Sequence, residues 1–226
     1  MILRNWMEKD PVTVTSDTPV AEAITLLVEK NLRALPVVDQ GALRGLVTRK
    51  DLQGCATAVA RAQNEHENEY FLNRLKIKDI MIRMPKTVEA GDSVEYCMLK
   101  GQEELIRNYP VMENGKLVGL VSSLELFSAL SSILGADEIW CGITLEPMLI
   151  ESGTIGKVAQ VVESTGAVLY GIFTMRLPEV KEKRIILRFD GGQDLEAVAG
   201  ALEAAGYGIL EKTSAVQACG GEKDPV

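Results

Sequence analysis

Residues 35–52 read Leu-Pro-Val-Val-Asp-Gln-Gly-Ala-Leu-Arg-Gly-Leu-Val-Thr-Arg-Lys-Asp-Leu. Val37-Val38 is a β-branched run, Asp39-Gln40-Gly41 a hairpin turn signal, and Leu43 to Val47 a return strand. Thr48 and Asp51 then stand three apart where a helix should begin, the spacing at which a hydroxyl and a carboxylate satisfy free backbone N–H groups. Residues 109–126 repeat the pattern as Tyr-Pro-Val-Met-Glu-Asn-Gly-Lys-Leu-Val-Gly-Leu-Val-Ser-Ser-Leu-Glu-Leu, at an offset of 110 − 36 = 74. Sliding residues 1–52 onto 75–126 without a gap makes fifteen of the 52 pairs identical, among them Met7/Met81, Pro11/Pro85, Arg33/Arg107 and Gly45-Leu46-Val47/Gly119-Leu120-Val121. Two copies predict a pseudo-twofold pair of small βα units rather than a solenoid.

Working outward, Pro11 to Thr15 reads as a short strand. Ser16-Asp17-Thr18-Pro19 starts a helix whose apolar face is Val20, Ala23, Ile24, Leu27 and Val28. The helix after Asp51 runs into a polar stretch around His66, read as a linker helix over 57–74; the lone histidine there is a solvated surface residue. In the second copy a helix from Asp92 to Glu104 is weakened by Gly101, and Leu126 to Leu134 closes the pair. A break at Gly135 to Glu138 precedes a different grammar. Strands are expected at Trp140–Leu145, Val168–Met175, Arg184–Phe189 and Ile209–Leu210. Helices are expected from Val158 to Gly166 and from Asp194 to Ala205, with a glycine-rich turn at Glu151 to Gly156. The order βαββαβ predicts an antiparallel sheet with two helices on one face. The layout is therefore repeat 1 over 1–56, linker helix 57–74, repeat 2 over 75–134, a second domain over 139–213 and a frayed tail over 214–226.

At 226 residues, with 46% apolar and 25% charged residues, the chain suits one large or two modest globular domains. A net charge of −8 disfavours nucleic acid. No apolar run approaches membrane-spanning length, and the N-terminus lacks a signal-peptide core. Cys55, Cys97, Cys141 and Cys219 are scattered singly, which predicts a cytoplasmic protein without a disulfide framework or zinc site.

On Met7 and Met81, Leu35-Pro36-Val37-Val38-Asp39 and Gly45-Leu46-Val47-Thr48-Arg49-Lys50-Asp51, the repeat resembles the CBS domain, which occurs in tandem pairs; the resemblance covers about residues 1–134. The stretch Ser152-Gly153-Thr154-Ile155-Gly156-Lys157 through Gly166 resembles the ACT-like domains, with Ser152 where that family has proline. The whole is similar to the acetoin-utilisation protein B family. The implied fold class is α+β: a tandem CBS pair of two βαββα-type repeats, then a ferredoxin-like βαββαβ ACT-type domain.

The CBS resemblance implies a cleft between the repeats that takes AMP, ADP, ATP or an adenosyl compound as regulatory ligand. Its walls would be Thr13, Val14, Ala34 and Pro36, with Arg33 and Thr48 toward phosphate, Asp51 on the ribose hydroxyls and Arg49 among the nucleotide-binding residues. A second site would use Thr87, Arg107, Pro110, Ser122 and Glu125, altered because Glu125 stands where the motif has aspartate. The ACT resemblance implies an effector loop at Gly153, Thr154 and Ile155. Plain alternatives stand beside each: Thr48 and Asp51 as a helix cap alone, Arg33 and Arg107 as stems covering apolar surface, the glycine turn as a loop.

No nucleophile–base pair, phosphate loop or histidine-rich metal set occurs in the sequence. The expected function is non-catalytic, with no metal or required cofactor. Expected is a homodimeric ligand sensor acting on an unidentified target protein, or else a scaffold with a vestigial nucleotide site.

Overall fold

In the computed structural model, residues 1–62, 71–136 and 138–216 are described. The chain divides into two compact units, Met1–Leu130 and Ser131–Val226.

The first unit is built on the two hairpins. In chain order it holds β1 (Glu8–Lys9), α1 (Val20–Glu29), β2 (Ala34–Asp39), β3 (Ala42–Thr48), α2 (Arg49–Ala62), α3 (Ile77–Ile80), β4 (Ile82–Arg83), β5 (Val88–Glu89), α4 (Val94–Glu104), β6 (Asn108–Glu113), β7 (Lys116–Ser122) and α5 (Ser123–Ile133), the last continuing past Leu130. Both hairpins turn through left-handed residues, Gln40-Gly41 (φ 51° and 78°) and Asn114-Gly115 (φ 50° and 75°), the geometry that matches strand twist in a two-residue loop. Leu35, Val37 and Val47 bury beside Val20, Ala23 and Leu27 of α1 and Leu52 of α2; Tyr109, Val111 and Val121 bury beside Val94, Cys97 and Ala129 in the second copy.

The spatial halves are not the sequence repeats. β1, from the first copy, pairs antiparallel with β7 of the second (Glu8 opposite Leu120, Lys9 opposite Gly119), and β4 pairs with β3 of the first (Ile82 opposite Leu46, Arg83 opposite Gly45). Leu3 is fully buried in the second core and Ile77 in the first. Each copy thus lends its leading segment to the other, so the strand pairing crosses between the repeats. Glycine at 45 and 119 permits the exchange: a Cβ on Gly45 would lie 2.5 Å from Met81 Sδ and 3.1 Å from the Ile82 carbonyl, and one on Gly119 would meet Met7 Sδ. The repeated methionine and glycine are thereby one feature: the sulfur of each lent segment lies against the other copy's glycine.

Other expectations shift. Pro11 to Thr15 is not a strand; only Val14 makes a parallel bridge to Val37, and Thr15 N–H then turns onto Thr18 Oγ1 at 3.0 Å. α5 starts at Ser123, three residues before the expected Leu126. Residues 57–62 continue α2 and residues 71–74 are helical; His66 and the middle of the expected linker lie outside the described residues.

The second unit runs β8 (Trp140–Leu145), α6 (Thr154–Ser164), β9 (Leu169–Arg176), β10 (Lys183–Asp190), α7 (Leu195–Ala204) and β11 (Ile209–Val216). The strands lie in the order β11-β8-β10-β9 with antiparallel neighbours throughout. This is the expected βαββαβ arrangement. One face, carrying Cys141, Ile143, Leu145, Ile185, Leu187 and Phe189, packs on Val158 and Val162 of α6 and Val198, Ala199 and Leu202 of α7. α6 starts before the expected Val158, because Gly153 at φ 85° sends the chain straight into it. β11 is longer than Ile209–Leu210 and takes in the start of the expected tail; residues 217–226 lie outside the described ones. Among the described residues no helix is long and apolar enough to cross a membrane.

Candidate functional site

Thr48 closes β3 and caps α2. Its backbone N–H and hydroxyl both donate to Asp51 Oδ2, at 2.9 and 2.6 Å, while its hydroxyl accepts from Asp51 N–H at 3.3 Å. The pair is a reciprocal capping box. Asp51 Oδ1 accepts no hydrogen bond among the described residues. Ser122 and Glu125 reproduce the box at α5: Ser122 N–H donates to Glu125 Oε2 at 2.7 Å and its hydroxyl donates to the same oxygen. The extra methylene of glutamate is absorbed without losing the cap.

Two clefts flank the junction of β3 and β7, related by the 74-residue offset. The larger, about 680 Å³, opens beside Thr48 and is lined by Arg33, Leu46, Arg49, Lys50, Ile82, Pro85, Lys86, Leu105, Ile106, Arg107 and Asn108. The smaller, about 190 Å³, opens beside Ser122 and Glu125 and is lined by Glu8, Asn31, Leu32, Arg33, Leu120 and Leu124. Only the larger lies within the ~300–1,000 Å³ usual for ligand pockets.

Their charges differ in sign. Among the described residues the large cleft has five cationic side chains and no carboxylate in its lining. Arg49 is largely occupied: its Nε and Nη2 donate to the Leu32 carbonyl at 3.1 and 2.7 Å, and Nη2 also reaches Leu27 O and Asn31 Oδ1. It clamps the end of α1 rather than facing a ligand. Lys86 pairs with Glu104 at 2.7 Å. Arg33, Lys50 and Arg107 remain as cations free of ion pairs among the described residues. In the small cleft Glu8 faces Glu125, and burial first, then repulsion from Glu125, pushes the Glu8 carboxyl above its ordinary range.

The sequence allotted Arg33 to the first site and Arg107 to the second. The structure crosses them: Arg107 lines the Thr48 cleft, and Arg33 lines both, its Nη1 donating to Ser122 Oγ at 3.2 Å. The remaining expected walls lie off the clefts. Val14 is core, with its N–H on the Pro36 carbonyl at 3.1 Å; Thr13 is exposed; Ala34 buries with Leu46 and Leu120; Pro36 and Pro110 are buried strand residues. Thr87 is half-buried, and its carbonyl accepts from Lys100 Nζ at 2.9 Å. Lys50, Ile82, Pro85, Lys86, Leu105, Ile106 and Asn108 line the cleft and were not among the expected site residues. Applying the 74 offset crosswise, so that each helix start faces the other copy's strand entry, would have found most of them.

In the second unit Gly153 precedes the first residue of α6, Thr154 Oγ1 accepts from Glu151 N–H at 3.1 Å, and Ile155 is exposed. The turn is closed in part by its own hydrogen bonds.

Residues 3–55 and 77–132 match the CBS domain family. The chain is 26% identical over 136 residues to a CBS domain-containing protein of Dictyostelium discoideum, covering 59% of this chain and 94% of that protein. It is 31% identical over 126 residues to YlbB of Bacillus subtilis, covering 55% of this chain and 78% of YlbB. By contrast, its match to the L-aspartate semialdehyde sulfurtransferase of Methanocaldococcus jannaschii, 28% identical, spans 55% of this chain but only 22% of that enzyme. Among solved structures, AcuB from Vibrio cholerae aligns at a TM-score of 0.50 with 18% identity, over 60% of this chain and 93% of that one. CBSX2, solved in complex with AMP, aligns at 0.49 with 25% identity, over 59% and 98%.

Proposed function

The chain belongs to the CBS-domain family, and from that premise we propose that it is a non-catalytic regulatory protein whose CBS pair senses an adenine nucleotide or adenosyl compound in the Thr48 cleft. The observation that carries this reading is the cleft itself: about 680 Å³, cationic, without a carboxylate in its lining among the described residues, at the capped start of α2. Arg33, Lys50 and Arg107 hold phosphate, with the positive end of α2 behind them. Leu46, Ile82, Pro85 and Ile106 supply apolar walls for a purine. Asp51 Oδ1 takes a ribose hydroxyl, since Oδ2 is spent on the cap. The cation count favours polyphosphates over uncharged adenosine. Arg33, common to both clefts, ties occupancy of one to the geometry of the other, and the ligand acts on a dimer by its differential affinity for two arrangements.

The second unit in this reading is ACT-like; it dimerises, engages a target protein or takes a second effector at Gly153, Thr154 and Ile155. Its βαββαβ order and its glycine-started α6 support the assignment.

Thermal unfolding of the full chain with adenosine, AMP, ATP and S-adenosylmethionine tests the proposal. A ligand at about a hundredfold its Kd stabilises by about 2.7 kcal/mol, and the rank order is ATP above AMP above adenosine. No shift with any of the four refutes the sensor and leaves a scaffold. Steady hydrolysis of ATP by the purified chain would refute the non-catalytic assignment.

A further inference from the structure

The sheet of the second unit turns one face to α6 and α7. Arg188 lies on the other, since its neighbours Leu187 and Phe189 are in the helix-covered core. It sits opposite Gly142 on β8 and Gly171 on β9. The Trp140 ring lies 4.1 Å from its Cζ and the Phe173 ring 5.5 Å. The glycines make this possible: a Cβ on Gly142 would come within 3.1 Å of the Trp140 ring, and one on Gly171 within 3.0 Å of the Phe173 ring. The two rings therefore fold down beside the guanidinium instead of standing clear of it.

A guanidinium carries five N–H donors. Within the described residues Nη1 donates to the Leu134 carbonyl, just past the end of α5, and Nε is enclosed without a partner. Among the described residues no carboxylate forms an ion pair with Arg188. Burial disfavours its charged form. A cavity of about 150 Å³, the liquid share of about five waters, opens at this cation, with Ser132, Glu138 and Tyr170 among its lining. A half-buried cation whose Nε is enclosed and unpartnered and most of whose donors are unused is open to an acceptor, and the aromatic walls leave a flat, apolar-sided approach to it.

We propose that Arg188, walled by Trp140 and Phe173, is the receptor for a small organic monocarboxylate. A carboxylate matches the guanidinium fork with two oxygens. Glu138 on the lining repels each negative charge brought in, so a monoanion is favoured over phosphate. The site is independent of the nucleotide cleft and of its reading.

The two tryptophans, Trp6 and Trp140, give two indole N–H signals in a ¹H–¹⁵N spectrum of the labelled full chain, assigned with Trp6→Phe. Sodium benzoate is titrated against sodium chloride of equal ionic strength. The Trp140 indole signal shifts saturably and the Trp6 signal stays, while sodium phosphate gives no saturable shift. Arg188→Lys keeps the charge, loses the fork and weakens benzoate at least tenfold. Glu138→Gln, at an exposed position, removes the competing carboxylate and tightens benzoate severalfold; it decides the matter if the lysine variant does not fold. The proposal is overturned by no saturable Trp140 shift up to about ten millimolar benzoate. Phosphate binding as tightly as benzoate overturns it too, as does unchanged affinity in either variant.

Discussion

Replacing Gly45 by alanine tests the exchanged strands and the cleft together. The new Cβ would stand 2.5 Å from Met81 Sδ, 3.0 Å from Met81 Cγ and 3.1 Å from the Ile82 carbonyl oxygen. The sulfur lies near the end of a flexible side chain and can swing aside. The carbonyl belongs to β4, whose pairing places Arg83 opposite Gly45 and Ile82 opposite Leu46, so it moves only if the ladder opens. Overpacking of this kind costs about 1–3 kcal/mol. Removing a strand glycine returns about 0.5–1 kcal/mol. The two together leave a net loss of about 0–2.5 kcal/mol, up to roughly 10 °C in melting temperature for a chain of this size. Because β4 carries Ile82 and leads into Pro85 and Lys86, ATP affinity falls alongside stability. Urea unfolding of Gly45→Ala, Met81→Ala and the double variant forms a cycle in which the double variant loses less than the sum of the singles. Losses in the two single variants that add within about 0.5 kcal/mol in the double would refute the close approach of the lent segment.

Other outcomes follow from single positions. Gly200 lies inside α7 with nothing within 4 Å of its would-be Cβ, so Gly200→Ala stabilises by about 0.5–1 kcal/mol in the same unfolding assay. Asp194 caps α7 by accepting from Glu196 and Ala197 N–H groups at 3.0 and 3.1 Å; Asp194→Ala costs about 1 kcal/mol by chemical denaturation. Glu8 has its carboxyl pushed up by burial and by Glu125. The folded state therefore holds that proton to a higher pH than the unfolded chain, and stability falls as pH rises from the ordinary glutamate value through the raised one. Glu8→Gln is accordingly more stable than the parent at neutral pH, the difference closes in acid below the ordinary glutamate range, and added salt shrinks it.

The repeat made the hairpins, their turns and the two capped helix starts legible, because those depend on local spacing: Gln40-Gly41, Thr48 with Asp51, Ser122 with Glu125. The βαββαβ order of the second unit was legible for the same reason, in alternation such as Ile185, Leu187 and Phe189 against one helix-covered face. What local spacing could not carry was the partner of each segment. Met7 and Met81 were visible as a pair, but that each sits on the other copy's glycine is a fact of tertiary packing. The same blindness put Arg107 with Ser122 instead of with Thr48. Pro11 to Thr15 failed as a strand since a β-branched run needs a neighbour along its length, and only Val14 has one. Arg188 drew no notice because an arginine in a strand reads as a solvated residue until the rings beside it are seen.

Titration calorimetry of ATP into the full chain, repeated at raised salt and with Arg107→Ala, puts the nucleotide cleft to the sharpest test. The account predicts one saturable site per chain, weakened by salt and about tenfold or more weaker without the arginine. Absence of binding, two equal sites, or an affinity indifferent to both salt and Arg107 would contradict it.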